Sequence, residues 1–123
     1  MTLLFAVFLI AHGLVHLAIY AAPVNPDQPV PFDPGHSWAL GRDRTATAAR
    51  SGSVALGCAV AAAYSAAGWM LAINATTWAA VAGIAAVLGL VLKGLWFHPW
   101  LALGIAIDTA IAVTVVLGWP ASL

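Results

Sequence analysis

The sequence predicts an all-α integral membrane protein, an antiparallel four-helix bundle with a proline-rich loop between helices 1 and 2. Three observations carry this reading. Of 123 residues, 63% are hydrophobic and 7% charged, and the mean hydropathy is +1.00. A soluble fold of this size cannot hide so much apolar surface, so lipid must be the solvent for much of it. Four apolar runs each approach the roughly 20 residues that span a bilayer. The tryptophans also divide into two sets, Trp69, Trp78 and Trp119 at one interface and Trp38, Trp96 and Trp100 at the other, as aromatic belts do.

The elements follow in order within a single domain covering residues 1–123. The first helix, about 2–22, is stopped by Pro23 and Pro26. It lacks the basic segment of a signal peptide and carries two histidines, so it is read as a retained helix. The loop, about 23–45, contains Pro23, Pro26, Pro29, Pro31 and Pro34, which stiffen it in extended form. Gly35-His36-Ser37-Trp38 follows, with Phe32 and Leu40 nearby, and suggests a segment folded back as a cap over the bundle mouth. A solvated linker is the plainer alternative.

The second helix, about 46–73, is crowded with small residues. Ser53, Gly57, Ala61, Ser65 and Gly68 let neighbouring backbones approach closely. Asn74-Ala75-Thr76-Thr77 makes a short turn with an N-cap signal. The third helix, about 77–97, repeats the small-residue theme with Gly83, Ala86 and Gly89, and His98-Pro99 closes it. The fourth runs about 100–119 and stops at Pro120. Short second and third connections favour antiparallel neighbours.

Charge narrows the function classes. The formal net charge is zero, which gives no electrostatic ground for a nucleic-acid partner. Cys58 is the only cysteine, so neither an intrachain disulfide nor a Cys-x-x-Cys zinc site can form. Arg42, Arg44, Arg50 and Lys93, the four strong bases, lie towards the face bearing the first and third connections. The positive-inside rule then makes the long loop cytoplasmic and both termini extracytoplasmic. The three arginines are expected to act as interface anchors on lipid phosphates, and Lys93 to snorkel to the headgroups.

The residues that could carry chemistry gather at one depth. His12 and His16 lie four apart and share a helix face. At 1.5 Å per residue His12 sits about 13 Å into the bilayer, with His16 a turn nearer the cytoplasm. Asp108 sits about 12 Å in from the cytoplasmic side, between the two histidines in height. Gly104 and Ala112 flank it on the same helix face and make that face slim. A carboxylate in hydrocarbon must pair or take up a proton, so Asp108 should face the interior. It is therefore a candidate proton carrier, or one half of a hydrogen bond that only locks two helices together.

The His-x-x-x-His spacing suits a transition metal such as zinc, iron or copper, with Asp108 or His98 completing the ligands. Haem ranks behind a metal ion. Two ligands stacked on one helix cannot reach opposite faces of a porphyrin, although one of them with His98 or His36 could. His36 and Trp38 are candidates for the cap above the site. No nucleophile–base–acid triad, phosphate loop or dinucleotide fingerprint is present, so no enzyme class is assigned.

At His12-Gly13-Leu14-Val15-His16-Leu17 the chain resembles a group of small four-helix bacterial membrane proteins with a His-Gly-Leu-Ile/Val-His-Leu segment in the first helix. Their later helices often read similarly to Trp96-Phe97-His98-Pro99-Trp100 and to Gly104-Ile105-Ala106-Ile107-Asp108. The resemblance implies the fold and a shared polar site, and no reaction; the location expected is the bacterial inner membrane.

The leading functional expectation is a small membrane binding protein whose His12, His16 and Asp108 hold a metal ion or small ligand. A non-enzymatic interaction subunit, docked on membrane partners or on copies of itself, is the second. A proton-coupled transporter using Asp108 is the third, and an enzyme acting on a lipid or quinone is a further alternative.

Overall fold

A chain this apolar forms helices because lipid offers its backbone no hydrogen-bond partners, so each N–H and C=O must be satisfied within its own segment. The computed structural model describes residues 1–23, 27, 32–40 and 46–118. It comprises α1 (Thr2–Tyr20), α2 (Ala46–Ala72), α3 (Trp78–Leu95), a single 3-10 turn (Pro99–Leu101) and α4 (Ala102–Val116), and no strand occurs among the described residues. All four helical segments, the fourth counted from Pro99, are long and apolar enough to cross a membrane. Only a minority of each apolar window is buried, least in the fourth at 17%, which leaves broad apolar faces turned outwards.

The helix ends differ slightly from those expected. The fourth helix opens as a 3-10 turn because Pro99 brings a fixed φ and no N–H to the first position, and the Nδ1 of His98 accepts from Trp100 N at 3.2 Å. It ends before Pro120, where Gly118 adopts a left-handed φ of 62° and its N–H bonds Val115 O. In the turn between α2 and α3, Asn74 stands at φ 58°. Asparagine tolerates that conformation, and Ala75 N then reaches Met70 O at 2.8 Å. Thr77 stands at the N-cap of α3, but its side chain makes no capping bond.

Packing runs from α1 to α2, α2 to α3 and α3 to α4. Glycine decides how closely α1 and α2 approach. A Cβ at Gly13 would lie 2.8 Å from Tyr64 Cβ, and one at Gly68 would lie 2.6 Å from Ala6 O. Such distances permit no side chain, so each glycine is a contact point of the two backbones. The apolar core gathers Leu9, Tyr20, Val60, Tyr64, Leu71 and Leu92 with alanines between them.

The segment 32–40 is folded onto one end of the bundle. Phe32 is buried against Tyr20 of α1, the ring centroids 5.2 Å apart. Ser53 of α2 donates to Pro34 O at 3.3 Å. The Oγ of Ser37 donates to Leu95 O at 2.6 Å and the Nε1 of Trp38 to Gly94 O at 2.8 Å. These two bonds satisfy carbonyls that the last turn of α3 leaves without helical partners. At the other junction Arg50 donates to Ala22 O, just past the end of α1, at 2.7 Å. The interface-anchor expectation for Arg42 and Arg44, and the belt position of Trp119, lie outside the described residues. Trp96 departs from the belt expectation. It is buried, with its ring edge 3.5 Å from where a Cβ of Gly52 would stand, because that glycine leaves room for an indole inside the bundle.

Candidate functional site

The i, i+4 spacing of His12 and His16 places both rings on the buried face of α1, packed edge to face with centroids 5.0 Å apart. Tyr64 of α2 lies against both, 4.9 Å from the His12 ring and 6.0 Å from that of His16. Asp108 reaches this cluster from α4 and is 0% exposed. The Nε2 of His12 lies 2.7 Å from Asp108 Oδ1, and the Tyr64 hydroxyl donates to the same oxygen at 2.8 Å. Asp108 thus bonds His12 directly.

Lys93 completes the network and corrects its expected role. It does not snorkel to the headgroups: it is 2% exposed and turns inward. Its Nζ donates to Asp108 Oδ2 at 2.6 Å and contacts His16 Nε2, also at 2.6 Å. The physical reason is that a buried carboxylate needs a compensating charge, and pairing with it offsets the cost of taking the ammonium out of water. Glycines create the space. A Cβ on Gly89 would collide with the Asp108 carboxylate, and one on Gly104 would come within 2.6 Å of Lys93 Cε. Gly89 and Lys93 are i and i+4 on α3, as Gly104 and Asp108 are on α4, so each helix offers a glycine to the other's charged side chain.

The donors and acceptors close consistently. Backbone carbonyls only accept, so the Nδ1 of His16, 3.0 Å from His12 O, carries its proton, and its neutral Nε2 can accept from Lys93. The Asp108 carboxylate likewise only accepts, which assigns the proton of His12 to Nε2. Asp108 receives three donors, from His12, Tyr64 and Lys93. Opposite charges meet at Lys93 and Asp108, and the pair is neutral as a whole.

His12, His16 and Asp108 also form a possible metal-ligand triad geometrically, since one ligand atom from each lies within 4.8 Å of the others. The Lys93 ammonium touches two of those three residues, so in this arrangement a cationic group of the protein already stands among them. The other sequence candidates lie apart. His98 caps the start of the fourth helical segment, its ring 6.2 Å from that of Phe32, and does not belong to the triad. His36 is exposed and Trp38 is 70% exposed, and neither lines the cleft described below; Phe32, Ser37 and the Trp38 N–H make the contacts that hold the loop in place. Tyr64 and the inward role of Lys93 were missed by sequence reasoning. The repeated Gly-x-x-x-Lys and Gly-x-x-x-Asp spacing on consecutive helices is the signal that points to the Lys93–Asp108 pairing.

Beside the network lies a cavity of about 400 Å³ between α1 and the start of α4. His12, His16 and Lys93 form its polar part; Val15, Ile19 and Ile107 are among its apolar walls. Leu103 and Trp100 stand at its margin and are largely exposed on the outer surface of the bundle.

Comparison with family models, with curated proteins and with solved structures finds no match for the chain. The fold and site define a class nonetheless: an all-α chain of four membrane-capable helices enclosing a buried His/Asp cluster.

Proposed function

We propose that this is a multi-pass binding protein of the bacterial inner membrane, an antiparallel four-helix bundle that holds a small organic ligand against its His/Asp/Lys network. The observation that carries the reading is the cavity of about 400 Å³ that has His12, His16 and Lys93 among otherwise mainly apolar walls. A cavity of this size with a few convergent polar groups is the usual form of a small-molecule site. The crossed pairing of Gly89 with Asp108 and of Gly104 with Lys93 favours opposite directions for α3 and α4. The arginines in and after the long loop support a cytoplasmic side for it.

The same observations weigh on the other readings. Gly13, Gly68, Gly89 and Gly104 are spent on contacts inside the bundle, which removes the main reason to read them as docking faces for an interaction subunit. Three donors on the Asp108 carboxylate favour a fixed charge over a mobile proton carrier. A metal ion is the second reading, favoured by the 4.8 Å clustering of His12, His16 and Asp108.

Organic extraction with mass spectrometry, beside elemental analysis, on detergent-purified protein tests the proposal. Wild type should retain one small molecule near stoichiometry, and the His12→Ala/His16→Ala variant should lose it. Stoichiometric zinc, iron or copper that vanishes in the variant would replace this reading with the metal one. A folded wild type that retains neither would overturn both.

A further inference from the structure

The cleft between α1 and α4 combines an outer apolar margin with a charged interior. Leu103, 73% exposed, and Trp100 stand where the cleft meets the surface, and on a membrane-spanning helix that surface is in contact with lipid. A ligand can therefore come from the bilayer itself, and its outer part must be apolar to replace acyl chains there.

The inner end sets what the head must be. An ammonium can donate three hydrogen bonds, and the Nζ of Lys93 spends two, on Asp108 Oδ2 and His16 Nε2. His12 commits Nε2–H to Asp108, which leaves Nδ1 of the neutral ring as an acceptor. Among the described residues no hydrogen bond occupies the third Lys93 N–H or the His12 Nδ1. The network thus keeps one donor and one acceptor in reserve on two residues that line the cleft. Because Lys93 and Asp108 already neutralise each other 2.6 Å apart, an anionic head would bring an uncompensated charge into the apolar interior.

We propose that this cleft binds a neutral amphiphile with a carbonyl or hydroxyl head and an apolar tail, the head meeting Lys93 and His12 and the tail leaving past Leu103. A quinone and a monoacylglycerol share this chemistry. The inference rests on the ligand-binding reading above and specifies the ligand's class. The cavity, about 400 Å³, holds a single ring or glycerol unit with the first part of a tail, the remainder lying in lipid.

Three probes separate the cases: decylubiquinone, monoolein and oleate, each titrated into the protein in nanodiscs. Quenching of Trp100 fluorescence, identified by its loss in Trp100→Phe, reports decylubiquinone, and displacement of that quencher reports the other two. The expected result is saturable binding of decylubiquinone or monoolein at least tenfold tighter than oleate. Whichever of the two binds tighter names the source. Val15→Trp, which fills the cleft from a half-exposed position, should weaken binding at least tenfold with an unchanged melting temperature. Lys93→Met/Asp108→Asn, which removes both charges together, should weaken binding by as much when titrated below its own, lowered melting temperature. Tighter binding of oleate overturns the neutral class. Saturable binding that survives Val15→Trp overturns the placement in this cleft. Failure of all three probes overturns the inference, while a stoichiometric extracted molecule of other chemistry would leave the broader binding reading standing.

Discussion

The Nζ of Lys93 on α3 lies 2.6 Å from Oδ2 of Asp108 on α4, and each of the two side chains passes over a glycine of the opposite helix. Gly89 receives the carboxylate and Gly104 the lysine stem. The pair is buried almost completely, at 2% and 0% exposure, and it ties α3 and α4 to the histidine face of α1 through His12 and His16.

Removing one member of this pair leaves the other charge without compensation in a low-dielectric interior. Asp108→Asn and Lys93→Met should each destabilise the protein by about 3 kcal/mol. The double variant should cost clearly less than the sum, with a coupling of about 2 kcal/mol. Reversible unfolding in mixed detergent micelles measures the cycle, and additive losses would show that the two charges do not depend on one another.

Gly89 and Gly94 on α3 and Gly104 on α4 should rank in order of what a methyl group meets. Gly89→Ala drives a Cβ into the Asp108 carboxylate and should cost about 2 kcal/mol. Gly104→Ala meets only the flexible Lys93 stem on the facing helix and should cost less. Gly94→Ala meets nothing within 4 Å and should be neutral or stabilising by up to about 1 kcal/mol, through helix propensity. Melting temperatures of the three variants give the order, and equal losses would sink the argument.

If the Lys93 ammonium fills the place of a cation, removing it should open that place. Lys93→Ala is expected to acquire zinc binding through His12, His16 and Asp108, whose ligand atoms lie within 4.8 Å of one another. Zinc at a hundred times its dissociation constant would then stabilise the variant by about 2.7 kcal/mol. Wild type should respond much less. An equal zinc response in both proteins would show that the lysine does not compete for the site.

The bonds from the segment 32–40 to the end of α3 should contribute to holding it, beside Phe32 packed on Tyr20. Ser37→Ala removes the donor to Leu95 O, and Trp38→Phe the donor to Gly94 O. Each change should cost about 1 kcal/mol. Both should raise proteolysis within residues 32–40 while leaving the Lys93–Asp108 coupling intact. Unchanged protection of the loop in the double variant would mean that Phe32, packed on Tyr20, is sufficient to hold it.

Much of this molecule was legible in the sequence. Four helices followed from run length and hydropathy, because a bilayer demands about 20 apolar residues and internally satisfied backbone. The common depth of His12, His16 and Asp108 followed from counting at a fixed rise per residue, and the hydrogen bond between His12 and Asp108 agrees with it. These are properties of each segment alone. The inward turn of Lys93, the contribution of Tyr64 and the burial of Trp96 were decided only by the tertiary structure. Each depends on how one helix is rotated against another, and an apolar sequence is nearly indifferent to that rotation in lipid. Close glycine contacts and the pairing of two buried charges select one rotation, and both exist only after the helices have met.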